Sequence, residues 1–286
     1  AKAVGKPVLL WGERDESPDP TTGIRTRDTQ CGMFASTKVL MRYGIPFSYI
    51  VNCSVDDARL ADGLDQFARV ANVVKAMSSM RIAQISTRPR PFFSVMANEG
   101  ELLERFGIEI VPINVTSLMG EIEATKTKRT AEVADAVAAT KGRMDSSEMT
   151  EVQLENLAAL RIALQGILET NGCHGAAIEC WSMLLKELGV MPCLVVGELS
   201  DMGMPVACET DIHGAITSIL LQAAGMGQSP TFFADLTIRH PDNDNAELLW
   251  HCGPFPYSLK DEAAQPAVDG GKGQWKLKDG DITLAR

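Results

Sequence analysis

The residue types that could support chemistry cluster in two apolar stretches of the chain. The first stretch, ACETDIHGAITSILL (residues 207–221), contains Glu209 and Asp211, and the second, ELLWHCG, contains His251. If residues 206–211 form a strand, its period of two points both carboxylates to the same face. Two acids buried side by side repel each other. They need a bound cation or a shared proton to stabilise them, or a catalytic role that justifies the cost in stability.

Glu209, Asp211 and His251 form an oxygen-rich set with one imidazole, which suits manganese or magnesium better than structural zinc. In an alternative interpretation, Glu209 caps a helix that starts near His213, Asp211 is the N-cap of the same helix, and both acids suit the positive end of the helix dipole. We favour the metal site, because perturbed carboxylates in apolar surroundings are a sign of function. His213, two residues after Asp211, is a candidate for substrate binding.

Three further residues could contribute to the site. Glu179 ends the predicted strand AAIEC, at the carboxyl edge of a parallel sheet, where it could act as an acid, a base or a metal ligand. A surface acid at a helix start is an equal alternative. Trp181 could form an apolar wall for a sugar ring or could pack in the core. Glu198 is a weaker alternative to Glu179.

Composition excludes several classes of protein. The chain has 286 residues, of which 45% are apolar, and a net charge of -10. These values predict a soluble globular protein and argue against nucleic-acid partners. The seven cysteines are scattered and lack a CxxC pair, which favours buried thiols in a reducing compartment. Without a membrane-spanning stretch or a signal pattern, the sequence predicts a cytoplasmic location and no membrane partner.

The order of predicted elements indicates an α/β fold. Strand and helix patterns alternate from PVLLWG to RIAQIST, which predicts a parallel sheet with right-handed crossovers. Residues 130–171 have helical periodicity that ends at Gly172. We place a domain junction near Pro205, between a central α/β domain (1–205) and a metal-site region (206–286). The absence of GxGxxG, Walker and GxSxG motifs disfavours dinucleotide, triphosphate and serine-hydrolase chemistry.

Several motifs, in order along the chain, resemble the L-fucose isomerase and L-arabinose isomerase superfamily, particularly its fucose isomerase-like members. The motifs are PVLLWG, DTQCG, AIECW, CETDIHGAIT, FFADL and HCG. The resemblance implies a Rossmann-like parallel sheet flanked by helices, followed by a smaller metal-site domain. Family members are longer, which implies that this chain is a fragment lacking an N-terminal α/β domain and a C-terminal β-barrel.

The resemblance also implies a metal held by two carboxylates and one histidine. Asp211 matches the second acid of the family's E-x-D motif, and His251 matches the histidine before Cys-Gly. The first acid stays open among Glu179, Glu198 and Glu209, because the spacing differs from the better-known members; Glu209 and Glu179 rank ahead. Family sites include a neighbouring subunit, which implies a homo-oligomer.

The expected function is that of a metal-dependent aldose-ketose isomerase acting on a pentose or deoxyhexose. Mn²⁺, or Mg²⁺ or Co²⁺, would assist proton transfer through an enediol, with Glu179 and Asp211 as the catalytic acids. The expected partner is a small sugar substrate. A metal-dependent aldolase or lyase and a non-enzymatic sugar-binding module are the alternatives.

Overall fold

The computed structural model describes residues 1–286, which form two compact units, Ala1–Val74 and Lys75–Arg286. None of the helices combines the length and the apolar character needed to cross a membrane.

The first unit contains a short parallel sheet and helices in alternation. Its elements are β1 (Leu9–Leu10), α1 (Thr29–Arg42), β2 (Ser48–Tyr49) and most of α2 (Ala58–Met77). β1 and β2 pair in parallel, with Leu9 opposite Ser48. Ile50, Cys53 and Leu60 form a small buried cluster beneath them. The predicted order of strand, helix, strand and helix is confirmed, although both strands are shorter than the apolar runs that contain them.

The second unit is built on a sheet of four parallel strands in the order β4-β3-β5-β6. Its helices and strands are β3 (Arg81–Ile85), α3 (Glu99–Phe106), β4 (Glu109–Ile113), α4 (Val115–Lys128), α5 (Thr130–Arg143), α6 (Glu151–Asn171), β5 (Gly175–Ile178), α7 (Met183–Leu188), α8 (Cys193–Asp201), β6 (Val206–Ala207), α9 (Ile212–Ala224), β7 (Asp235–Arg239), β8 (Glu247–Trp250), β9 (Ala267–Asp269) and β10 (Lys272–Gln274). β7 with β8 and β9 with β10 form two antiparallel pairs outside this sheet.

Helices cover both faces of the four-stranded sheet. Along β5, Ala176 and Ile178 join one buried cluster and Ala177 joins the other, as the period of two in a strand requires. The first cluster also contains residues of α4, α5, α6 and α8, and the second contains residues of α3 and α9. The predicted parallel sheet flanked by helices is therefore confirmed.

Helix α6 shows how local sequence determines a long element. Thr150 and Gln153 form a reciprocal capping box at its start, which satisfies backbone N–H groups that have no partner within the helix. Leu157 and Leu164 are buried on its apolar side. The helix ends where Gly172 takes a φ of 60°, a conformation that glycine adopts without a steric cost. The predicted end of this helix is confirmed.

The segment after β6 differs from the sequence prediction. β6 ends at Ala207, and residues 208–210 form a single 3-10 turn before α9 begins at Ile212. The expectation that Glu209 and Asp211 share one face of a strand is therefore wrong. The predicted domains 1–205 and 206–286 stay a prediction.

Gly175 lies at a close approach between β5 and the segment leading into β6. A Cβ atom at this position would lie 2.5 Å from the Pro205 carbonyl oxygen and 3.2 Å from Ile219 Cδ1. Because a backbone carbonyl cannot rotate away as a flexible side chain can, we expect Gly175→Ala to lower the free energy of unfolding by about 1–3 kcal/mol. Urea unfolding followed by circular dichroism measures the loss.

Gly166→Ala in α6 is the matched control. A Cβ atom there meets nothing within 4 Å, and alanine is favoured over glycine in a helix by about 0.5–1 kcal/mol. We expect this variant to be slightly more stable than the parent. Equal stability of Gly175→Ala and the parent would contradict the close packing between β5 and β6.

Candidate functional site

The candidate residues lie where the parallel strands of the second unit end. The carboxyl ends of β3, β5 and β6 meet at one edge of the sheet, the usual place for a binding crevice in α/β folds. Ala177 of β5 pairs with Ala207 of β6. Glu179 and Glu209 each follow this pair by two residues, so neighbouring strands each deliver a carboxylate to the same edge.

The turn that carries Glu209 is conformationally strained. Glu209 and Thr210 have φ values of 56° and 55°, in the left-handed region that residues with a Cβ atom rarely adopt. The buried Thr210 hydroxyl also has no hydrogen-bond partner. Strain and unsatisfied polar atoms cost stability and cluster at functional sites. The strain and the unpaired hydroxyl of this turn are therefore consistent with a functional site.

His251 is buried and lies in contact with Glu209. Its Nε2 lies 3.5 Å from Glu209 Oε1, and its Nδ1 lies 3.3 Å from Cys252 Sγ. The Phe233 ring packs edge-on against the imidazole, with 5.4 Å between ring centroids. Burial lowers the pKa of His251, but the hydrogen bonds to Cys252 and Glu209 outweigh burial and raise that pKa to about 10. These contacts hold the imidazole between the Cys252 sulfur and the Glu209 carboxyl group.

Asp211 caps helix α9. Its Oδ1 accepts a hydrogen bond of 3.0 Å from the Gly214 N–H, and its Oδ2 lies 3.3 Å from the Arg286 guanidinium. The residue is only 2% exposed. The interpretation of Asp211 as an N-cap is therefore confirmed, and the cap holds this carboxylate beside the strained turn.

The three predicted ligands, two carboxyl groups and one imidazole, are of the chemical types that bind a hard divalent cation; Asp211 and His251 are buried, and the Glu209 side chain is 18% exposed. They do not form a ligand cluster: no group of three His, Cys, Asp or Glu side chains is arranged to hold a metal ion. Glu209 faces His251, while Asp211 faces Gly214 and Arg286. The metal site therefore stays a prediction.

Glu179 is buried, contrary to its interpretation as a surface acid. Its Oε1 accepts hydrogen bonds from the Ser182 N–H at 3.0 Å and the Ser182 hydroxyl at 2.6 Å, and its Oε2 accepts one from the Met183 N–H at 3.3 Å. These donors belong to the start of α7. They hold the carboxylate in one orientation at the carboxyl edge of the sheet.

Glu198 lies in a different environment from the other acids. It sits on α8, where it forms ion pairs with Arg143 and with Arg161, the latter at 3.6 Å. Two cations therefore compensate its charge. This arrangement favours Glu179 and Glu209 over Glu198 as the first acid of the site.

The two predicted substrate-binding residues line different surfaces. Trp181 is 47% exposed and packs obliquely on Phe92, with 5.3 Å between ring centroids. Core packing is therefore the wrong interpretation of Trp181, and its exposed ring is available to a ligand. His213 lines a pocket of about 490 Å³ with Leu102, Ile216 and other residues, and Trp181 is not among them.

Sequence reasoning missed the cysteines beside the site. Cys180, Cys208 and Cys252 each adjoin a candidate acid or histidine in the sequence. This adjacency was the signal that could have identified them as neighbours of the site. Cys193 Sγ lies 3.3 Å from Cys252 Sγ, which in turn contacts His251. The hydrogen bond with Cys193 is the main cause that lowers the pKa of Cys252, to about 5.

The fold and the site define an α/β protein with buried carboxylates and a histidine near the carboxyl edge of a parallel sheet. Residues 1–78 match the family model described as the N-terminal domain of fucose/sulfoquinovose isomerase. The predicted resemblance to fucose isomerase-like proteins is confirmed.

Curated relatives extend this similarity over nearly the whole chain. A sulfoquinovose isomerase of Alkalicoccus urumqiensis is 28% identical over 98% of this chain and 63% of its own length. One of Priestia megaterium is 26% identical over 98% and 63%, and one of Clostridium sp. (strain MSTE9) is 27% identical over 92% and 58%. The chain thus spans about three fifths of the length of these relatives.

The ion pairs of Glu198 support a stability prediction. Glu198→Gln removes the carboxylate and leaves Arg143 and Arg161 without their partner, so we expect the free energy of unfolding to fall by about 1–3 kcal/mol. Glu155→Gln, at an exposed position of the neighbouring helix α6, is the control and should change stability by less than about 0.5 kcal/mol. Chemical denaturation compares the two variants. Equal effects would show that the Glu198 ion pairs contribute nothing.

Proposed function

We propose that the protein containing this chain is an aldose-ketose isomerase that uses a divalent metal ion. The observation that carries the proposal is the contact between Glu209 and the buried His251. Glu209 lies on a strained turn at the edge of the sheet, and Glu179 lies at the same edge. The name of the relatives, sulfoquinovose isomerase, supports the same class of reaction. Because the chain spans only part of their length, the proposal concerns the whole protein.

Glu209, Asp211 and His251 are the proposed ligands of Mn²⁺, with Mg²⁺ or Co²⁺ as substitutes. When bound, the ion would polarise the sugar carbonyl and stabilise negative charge that develops on the enediol oxygen. Asp211 can keep one oxygen on the Gly214 N–H and release the other from Arg286, whose side chain is largely exposed. A metal ion would then replace the Arg286 guanidinium as the positive charge beside the buried Asp211 carboxylate.

The protein's own carboxylates would move the proton. Isomerisation of an open-chain sugar transfers a proton between C1 and C2 through an enediol, and it needs a group that removes the proton and a group that returns it. Glu179 and Asp211 are the proposed pair. The backbone and hydroxyl donors on Glu179 orient its carboxylate before the sugar arrives, which reduces the entropy lost in reaching the transition state.

The proposed substrate is a pentose or a deoxyhexose. Sulfoquinovose, a deoxyhexose that carries a sulfonate at C6, is the first candidate because the relatives bear its name. The exposed Trp181 ring is the proposed surface for the apolar face of the sugar, and His213 is a second proposed contact. A cytoplasmic homo-oligomer, with no nucleic-acid or membrane partner, completes the proposal.

Deuterium exchange tests the reaction class. The full-length polypeptide is incubated in D₂O with sulfoquinovose or with a panel of pentoses and other deoxyhexoses, in the presence of Mn²⁺ or EDTA. We expect a ketose product with metal-dependent deuterium at C1 or C2. Products of carbon-carbon cleavage, detected by NMR, would instead indicate an aldolase or lyase. Sugar binding without exchange, indifferent to EDTA, would indicate a binding module.

Substitution of Asp211 separates its two roles. In Asp211→Asn the amide oxygen can still accept the Gly214 hydrogen bond, so we expect the fold to be retained, because asparagine is also a good N-cap. Loss of the charge should abolish Mn²⁺-dependent turnover, by about 10³-fold or more. Turnover, circular dichroism and Mn²⁺ binding followed by electron paramagnetic resonance give the three readouts.

Asp235→Asn is the matched control, since Asp235 is an exposed acid on β7. It should retain turnover and Mn²⁺ binding. Full activity of Asp211→Asn would remove Asp211 from the proposed mechanism, and unchanged Mn²⁺ binding would remove it from the proposed ligand set.

A further inference from the structure

Two cysteines lie side by side next to the candidate site. Cys193, at the start of α8, is fully buried, and Cys252, directly after His251, is partly exposed. Their Sγ atoms lie 3.3 Å apart although 59 residues separate them in the chain. Cys252 Sγ also lies 3.3 Å from His251 Nδ1. The structure therefore places an oxidisable pair of thiols in contact with a candidate site residue.

The β-hairpin formed by β9 and β10 packs against the backbone next to both cysteines. The Leu194 N–H donates a hydrogen bond of 2.9 Å to the Gly271 carbonyl, which anchors the start of α8. Gly253, next to Cys252, packs so closely on β10 that a Cβ atom there would lie 2.7 Å from the Gly273 carbonyl oxygen. Contacts to the same β-hairpin thus fix the backbone beside each sulfur.

We propose that Cys193 and Cys252 are a modification site that hydrogen peroxide converts to a reversible disulfide. The Cys252 sulfur attacks one peroxide oxygen and breaks the O–O bond, giving a sulfenic acid and one water that carries away the thiol proton. The Cys193 sulfur then attacks the Cys252 sulfur, and the sulfenic oxygen leaves as a second water with the Cys193 proton. Two thiols are oxidised, and one peroxide is reduced to two waters.

The disulfide changes the surroundings of His251. A sulfur-sulfur bond is about 2.05 Å long, so the Cys252 sulfur moves toward Cys193. His251 Nδ1 then loses the sulfur that holds one side of its ring, while Nε2 keeps only the contact to Glu209. If the isomerase proposed above is correct, oxidation lowers its activity and a thiol reductant restores it.

The other cysteines do not offer the same chemistry. Cys180 and Cys208 are hydrogen-bonded to each other, but both are fully buried, so peroxide cannot reach either sulfur. Cys31 is exposed in the first unit; the prediction that the cysteines are buried is wrong for this residue, and it serves as an accessible thiol for comparison.

Peptide mapping tests the pair directly. The chain is treated with hydrogen peroxide, its remaining thiols are alkylated, and it is digested with trypsin and with a glutamate-specific protease. Cleavage after Glu198 separates Cys193 from Cys208, which share one tryptic peptide. We expect a peptide that joins Cys193 to Cys252 and disappears on reduction with dithiothreitol. A link from Cys252 to Cys208 or Cys180, or no link at all, would overturn the proposal.

Two variants sharpen the test. In Cys193→Ser the second step is impossible, so the sulfenic acid of Cys252 should persist and react with dimedone. Cys173→Ser, at a buried cysteine outside the pair, should form the link to the same extent as the parent. Absence of dimedone labelling in Cys193→Ser would show that Cys252 does not attack peroxide.

Activity measured on the full-length protein separates this proposal from the isomerase assignment. We expect turnover to fall as the link forms, and to return with dithiothreitol. A linked protein with unchanged turnover would overturn the effect on His251. A protein without isomerase activity that still forms the link would contradict only the proposed function.

Discussion

The contact between the Glu209 carboxyl group and the His251 imidazole is the interaction on which the candidate site depends. His251 is buried and the Glu209 side chain is only 18% exposed, so both polar groups lose most of their contact with water and each needs a partner in the protein. The structure holds the pair from both sides. The left-handed turn positions Glu209, while Cys252 and Phe233 confine the imidazole ring.

The parallel sheet explains why several acids gather in one region. Parallel strands deliver whatever follows them to a common edge, and helices start at the same edge. Asp211 caps α9 and Glu179 holds the first turn of α7. Each carboxylate therefore satisfies helix N–H groups and is favoured by the positive end of the helix dipole. Helix capping and chemistry are compatible roles for these residues, because both require a fixed carboxylate.

The three proposed metal ligands at this edge do not form one cluster. One oxygen of Asp211 contacts the Arg286 guanidinium and the other the Gly214 N–H, and a three-ligand set is not assembled. Each of the three proposed metal ligands therefore already has a polar partner: Glu209 and His251 contact each other, and Asp211 contacts Gly214 and Arg286.

Three cysteines adjoin the candidate acids and the histidine in the sequence. Cys180 and Cys208, next to Glu179 and Glu209 in the sequence, are fully buried and pack in the interior. Cys252 differs because it contacts His251 and Cys193 and is partly exposed. Cysteine therefore serves for packing at positions 180 and 208, whereas at position 252 it is a thiol that reagents can reach.

The sequence by itself determined the features that arise from local order along the chain. The apolar stripe of α6, its end at Gly172 and the alternation of strands with helices follow from short-range periodicity and capping chemistry. For Asp211 the sequence left two interpretations, a metal ligand and a helix cap, and the structure shows the cap. Only the tertiary structure decided which distant residues meet. It paired His251 with Glu209 and ended β6 before the acids. These contacts depend on packing between elements far apart in sequence, which local patterns do not encode.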